Sequence, residues 1–272
     1  MIANARMYCV TPDVAQLWRR LLEGLAARAG EAIDVVDHAP PAPIAALWSR
    51  RDLAAVLMCG LPYSRAMPPP ALVAAPVPAL PEYGGKPHYW SAFVARAESG
   101  YRRLEESFGG RIAFTTPDSQ SGFAAALHHL MAAGGSTPLY REIIAPAVTP
   151  LGALAAVREG RAEVAPIDGF VLDLLRRHAP ELTAGLSVLA HTEPTAIPPF
   201  IASAPPTPAL RRAFLDAHDD PALRPLLEAL LLQRFVPASP AAYAPLQQRF
   251  ATALAFWRRH KLAAVIHPAY AL

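Results

Sequence analysis

Short β-prone apolar runs alternate with segments of helical period, and the alternation runs through two stretches of similar size. Ala5–Val10, Ile33–Val36 and Ala54–Cys59 read as strands. Between them Thr11-Pro12 opens a helix, an N-cap followed by proline at the first helical position. Val14, Leu17, Trp18, Leu21, Leu22 and Leu25 carry its apolar face to Gly30, and Pro43–Arg51 reads as a second helix. A β-α-β-α-β order predicts a parallel sheet with right-handed crossovers and strand order 2-1-3. A run as uninterrupted as Ala54–Cys59 suits a sheet covered on both faces.

Tyr89–Arg96 reads as a further strand, Gly100–Phe108 as a short polar helix, and the pattern then restarts. Strand Ile112–Thr115, a helix to Ala133, strand Glu142–Ala145, helix Pro150–Glu159, strand Glu163–Ile167, helix Phe170–His178 and strand Leu186–His191 follow. Phe200–Ser203 returns as a strand, and three helices close the chain, from Thr207-Pro208, over Pro221–Leu232 and over Tyr243–His260. In the last, Leu246, Phe250, Leu254 and Trp257 are expected on one buried face. Met67–Pro81, with six prolines, reads as an extended loop with at most one short strand. The expected architecture is α/β with two lobes and a central cleft. One lobe is 1–96 plus 196–272, with the helical tail on it, and the other is 97–195. Ligands sit beyond the carboxyl ends of parallel strands, which places the expected site in that cleft.

The junction Thr115–Gly122 joins a strand to a helix through Pro117 and the cap-forming Asp118, Ser119 and Ser121. Unpaired N–H groups, hydroxyls and the positive end of the helix dipole then converge, which makes an anion site. The same residues also describe a capped helix that binds nothing. Asp118 suits an anion site only if it turns away to cap its own loop.

Composition excludes several classes. No uncharged, proline-free run approaches the ~18 residues of a membrane span. A formal charge of +3 without basic clusters interleaved with aromatics argues against nucleic acid. Cys9 and Cys59 have neither zinc spacing nor a disulfide-rich pattern, and the histidines lack ligand spacing; His128-His129 reads as a solvated pair. No metal, cofactor or catalytic residue is expected, since a Gly-x-Ser-x-Gly elbow, a Walker loop and a Gly-x-Gly-x-x-Gly turn are all missing. Met1–Val10 lacks the apolar core of a signal peptide, so the expectation is a cytoplasmic protein, or a periplasmic one if a presequence has been removed.

Four pieces together resemble the PhnD-like phosphate/phosphonate-binding proteins, solute-binding components of ABC transporters with the type II periplasmic-binding fold. They are Cys59-Gly-Leu-Pro-Tyr63, Tyr89–Ser99, Thr116-Pro-Asp-Ser-Gln-Ser-Gly122 and Val157–Asp168. The resemblance implies that Ser119, Gln120, Ser121 and Gly122 hold the oxygens of a small oxyanion. It implies that Tyr89 packs or bonds from the first lobe and that Asp168 points into the cleft, while Tyr63, after Gly60 and Pro62, ends a strand on the cleft side, which favours exposure towards the ligand. Tyr89 equally suits the core, and Asp168 equally suits the N-cap of the helix at Phe170. An ABC permease is the implied partner, membrane insertion is not expected, and a monomer is. Where many members carry Ser-His-Glu this chain reads Thr149-Pro-Leu151, which speaks against an amino-bearing ligand. A cytoplasmic ligand sensor, or an enzyme on the same scaffold, are the alternatives.

Overall fold

The computed structural model describes residues 1–134, 137–144 and 146–270. In chain order its strands and helices are β1 Ile2–Asn4, α1 Pro12–Ala29, β2 Asp34–Val35, α2 Ile44–Trp48, β3 Leu53–Leu57, α3 Gly60–Arg65, β4 Ala71–Pro78, β5 His88–Tyr89, β6 Ser91–Arg96 and β7 Arg111–Ala113. There follow α4 Ala125–Leu130, β8 Tyr140–Ile144, α5 Pro150–Arg158, β9 Val164–Asp168, α6 Gly169–His178, β10 Leu186–His191, β11 Thr195–Ala196 and β12 Phe200–Ala202. The chain ends with α7 Pro208–Leu215, α8 Arg224–Ala229, β13 Leu232–Val236, α9 Pro240–His260 and β14 Ala263–Val265.

The chain forms two compact units: Met1–Tyr89 with Asp173–Ala179 and Thr195–Ala244, and Trp90–Leu172 with Pro180–Pro194 and Pro245–Leu272. The first holds a six-stranded sheet in the order β13-β4-β12-β3-β1-β2 and the pair β11-β5. β1 runs parallel to both β2 and β3, the expected 2-1-3 core, while β12 and β13 add antiparallel strands. α1 begins as its sequence requires: Thr11 Oγ1 accepts from Val14 N at 3.2 Å, and Gly30 ends it at φ 67°. The buried face of α1 is Val14, Trp18, Leu21, Leu22 and Leu25.

Several expectations change. The first strand is Ile2–Asn4 rather than Ala5–Val10, because Arg6–Tyr8 tightens into a 3₁₀ turn. Cys9 and Cys59 therefore lie beyond the ends of β1 and β3, and burial pushes the Cys9 thiol up to about 12, far from a reactive thiolate. The proline-rich stretch contains the eight-residue β4. Ala79 N–H bonds to Leu231 O beside β13, so alternation turns positions 76 and 78 the other way. On that side β12 reaches only Ala71, Leu72 and Ala74, and Pro76 and Pro78 withhold no ladder donor.

The division between units also departs from the expected one. β6 pairs with β9 and β10, so the second unit begins at Trp90, not after Arg96. The expected tail on the first lobe divides: α7 and α8 stay there, but Pro245–Leu272 belongs to the second unit. There Trp257 Nε1 donates to Leu127 O at 2.9 Å, Phe250 meets Phe123 at 5.9 Å, and β14 pairs with β8. The second sheet is thereby six-stranded, β10-β6-β9-β7-β8-β14. Ala145, the expected end of β8, lies outside the described residues.

In the first unit Asp173 is 6% exposed and accepts from Tyr83 Oη at 2.6 Å. Burial raises its pKa above the ordinary Asp value, against the opposing pull of Tyr83 and Arg176. A carboxyl that binds its proton more tightly in the fold contributes fully below the ordinary Asp range and loses that contribution as pH rises through the native value. Asp173→Asn, which cannot ionise, is expected to gain on the parent in urea unfolding between about pH 4 and 7. An unchanging difference across that range would show that Asp173 titrates as it does in the unfolded chain.

Candidate ligand site

In the second unit the chain leaves β7 through Phe114 and Thr115, both buried, and turns at Thr116–Ser119, where Ser119 N donates to Thr116 O at 3.0 Å. Ser119 is extended (φ −73°, ψ 129°) and caps the helix: its Oγ accepts from Gly122 N at 3.0 Å. The first turn, Gln120–Ala124, is a wide π turn, with Ala124 N bonded to Ser119 O, and α4 continues from it. Gly122 explains the geometry. A Cβ there would stand 2.0 Å from Thr115 Oγ1 and 2.9 Å from Thr115 Cβ, so the helix start rests on the strand end and only glycine fits.

Behind the turn lies a buried polar group. Ser91 Oγ donates to Ser121 O at 2.7 Å, and Ser121 Oγ donates to Asp168 Oδ2 at 3.3 Å. Asp168 Oδ1 accepts from Phe170 N and Val171 N at 3.0 and 3.1 Å, so it is the N-cap of α6. Ser91 and Asp168 face each other in the β6–β9 register, and Thr192 Oγ1 accepts from Ser91 N at 2.9 Å. Ser91, Gln120, Ser121 and Asp168 are all under a tenth exposed. The two hydroxyls of the turn therefore differ. Ser121 spends its proton on Asp168, whereas Ser119, acting as a cap, uses a lone pair and keeps its proton for another acceptor.

The structure thus brings Ser119, Ser121, Gly122 and Asp168 together, with Gln120 buried beside them. Tyr63 and Tyr89 lie in the first unit. Tyr63, expected to be exposed, is 4% accessible, and its ring meets that of Tyr243 edge-on at 5.0 Å. Tyr89 is buried in β5 opposite Thr195. Sequence reading passed over Ser91, Thr115 and Thr192. Ser91 lies inside the Tyr89–Ser99 piece and is marked there only by being a polar residue between apolar neighbours. Thr149, where the family motif departs, caps α5 by accepting from Gly152 N at 3.1 Å. His129 is half-buried against Phe93, at 5.2 Å between rings, and burial lowers its pKa, so the pair is not simply solvated.

Mixed six-stranded sheets in two α/β units, with a capped helix start at the end of a strand, are the architecture of the type II periplasmic-binding class. The family model described as ABC transporter, phosphonate, periplasmic substrate-binding protein matches residues 11–243, and the chain belongs to that family. Among solved structures it is similar to a binding-protein component of an ABC phosphonate transporter from Pseudomonas aeruginosa. That match has TM-score 0.75 and 14% identity, covering 94% of this chain and 87% of that one. It is similar to PhnD1 from Prochlorococcus marinus in complex with methylphosphonate, with TM-score 0.74 and 16% identity, covering 92% and 96%. A Xanthomonas citri protein bound to ATP matches with TM-score 0.61 and 19% identity, covering 96% and 98%. Among curated sequences none matches.

The family is one of substrate-binding components of transporters. Its members are described as periplasmic, so the expectation of a cytoplasmic protein finds no support there and the periplasmic alternative agrees with the family. Among the described residues no helix is long and apolar enough to cross a membrane.

Proposed function

We propose that the chain captures a small phosphorus oxyanion, of the phosphate or phosphonate type, at the Ser119–Gly122 turn and delivers it to an ABC permease. The observation that carries this reading is the turn itself. A helical run from Gln120 to Ala133 starts on a strand end, and its first N–H groups lack intrahelical acceptors by construction. One of them, on Gly122, is fixed by Ser119 Oγ, and the Ser119 proton remains to be donated. The dipole favours negative charge at that point. Asp168 holds Ser121 from behind, so the turn is fixed before any ligand arrives and little ordering cost is left to binding.

Calorimetry with methylphosphonate and with inorganic phosphate tests the reading. Ser119→Ala with Ser121→Ala removes the Ser119 donor, worth about 1.5–3 kcal/mol to a charged ligand, together with the Ser121 bond that fixes the turn on Asp168, so affinity is expected to fall by at least about tenfold. The cap lost at Ser119 and the bond lost between Ser121 and Asp168 cost about 1 kcal/mol of stability each, and melting of the double variant checks that it remains folded. A parent that binds neither anion, or a variant that binds as tightly as the parent, would end the proposal.

A further inference from the structure

The C-terminal segment reaches back to the strand end from which the ligand turn departs. Tyr270 is 2% exposed, and its hydroxyl lies 2.9 Å from Phe114 O and 2.7 Å from Thr115 O. Its ring packs between those of Phe123 at 5.0 Å and Phe114 at 5.9 Å, and Phe123 in turn meets Phe250 of α9. Burial pushes the phenol up, so it is a donor at every physiological pH.

In a strand successive carbonyls point to opposite sides. Two successive carbonyls converging on one hydroxyl show that the chain has left strand geometry at Phe114–Thr115, and Tyr270 is the group that holds it in that bend. Phe114 O also accepts from Ala147 N, whereas Thr115 O faces the phenol. Thr115 is in turn the residue on which Gly122 rests, and Thr115 N is bonded to Gly122 O at 3.3 Å. The path from Tyr270 to the turn therefore runs through two contacts: phenol to the backbone of Thr115, and Thr115 to Gly122.

We propose that Tyr270 is a positioning residue of the ligand site: by bridging the Phe114 and Thr115 carbonyls it sets the bend that aims Ser119–Gly122. The inference rests on reading that turn as the ligand site. A phenol suits the task because its ring fills an apolar gap while its tip satisfies buried carbonyls. Phenylalanine would fill the same gap and leave the Thr115 carbonyl unsatisfied.

Tyr270→Phe is the test, read in three ways: calorimetry with methylphosphonate and inorganic phosphate, thermal melting, and amide exchange without ligand. Affinity is expected to weaken about tenfold, which is about 1.4 kcal/mol. Exchange is expected to quicken in the 114–124 peptides and stay as in the parent over Leu186–His191 of β10. Unchanged affinity with a lowered melting point would overturn the proposal and leave Tyr270 a core residue. A variant that does not fold would do the same. If the parent binds neither anion, the functional reading fails first, and exchange decides the inference by itself. Quickening confined to 114–124 supports it, and uniform or absent quickening overturns it.

Discussion

Replacing Gly122 with alanine is expected to abolish binding of methylphosphonate and phosphate and to cost about 1–3 kcal/mol of stability, the usual price of overpacking. The added methyl would lie 2.0 Å from Thr115 Oγ1, 2.7 Å from Cγ2 and 2.9 Å from Cβ. A clash with the far end of a flexible side chain could be relieved by rotation, but this one reaches the threonine stem. Thr115 is 3% exposed, and Tyr270 holds its carbonyl, so it cannot retreat cheaply. The helix start must lift instead, which pulls Gly122 N from Ser119 Oγ and Ser121 Oγ from Asp168. Combining Gly122→Ala with Thr115→Ala removes the two closest atoms and should restore part of the stability, though the stem contact at Cβ remains. Melting curves and calorimetry on both variants measure this. A Gly122→Ala protein that binds like its parent would show that the turn tolerates displacement and is not the place where oxygen atoms are held.

Truncating Trp257 to alanine is expected to cost about 3–5 kcal/mol, the range for an aromatic lost from a packed core. The side chain is 1% exposed, and its indole N–H donates to Leu127 O at 2.9 Å, so truncation leaves both a cavity and a carbonyl without its donor. Leu246, Phe250, Ala253 and Trp257 form the buried face of α9; Leu254, expected there, is only half-buried. The loss falls on the second unit, because Leu127 belongs to α4, which continues from the Ser119–Gly122 turn. Proteolysis under mild denaturant should therefore cut first within 90–172 and 245–272. First cuts within 1–89 would mean that α9 stabilises the other unit, as the sequence alone had suggested.

The difference between what was readable and what was not follows the range of the interactions. Caps and turns are local, so Thr11, Thr149 and Ser119 announce their helices, and Asp168 announces α6. The Ser119–Gly122 turn was readable for the same reason. β13 and β14 were not. Leu232–Val236 follows an apolar helix without punctuation, the boundary being set by Leu231 at φ 55°, which no residue type marks. β4 was hidden by its prolines, whose harmlessness depends on how far β12 extends. The choice of unit for α9 depends on which helix offers a carbonyl to Trp257, and an apolar stripe is silent about its partner. At the site, Ser91, Thr115 and Tyr270 come from β6, the end of β7 and the last described residue. Their meaning lies in contacts across 30 and 155 positions of sequence, and a hydroxyl in isolation signals neither.

β14 covers the outer side of β8 with three residues, pairing Ala263 with Tyr140 and Val265 with Glu142. A strand that short is a poor template for another molecule, whereas the five-residue β8 beneath it would be a good one. Those residues act as a selvedge on the second sheet. Proteolytic trimming ahead of Ala263 would free a row of backbone donors and acceptors along β8, and the first thing such a chain would meet in concentrated solution is another of its kind.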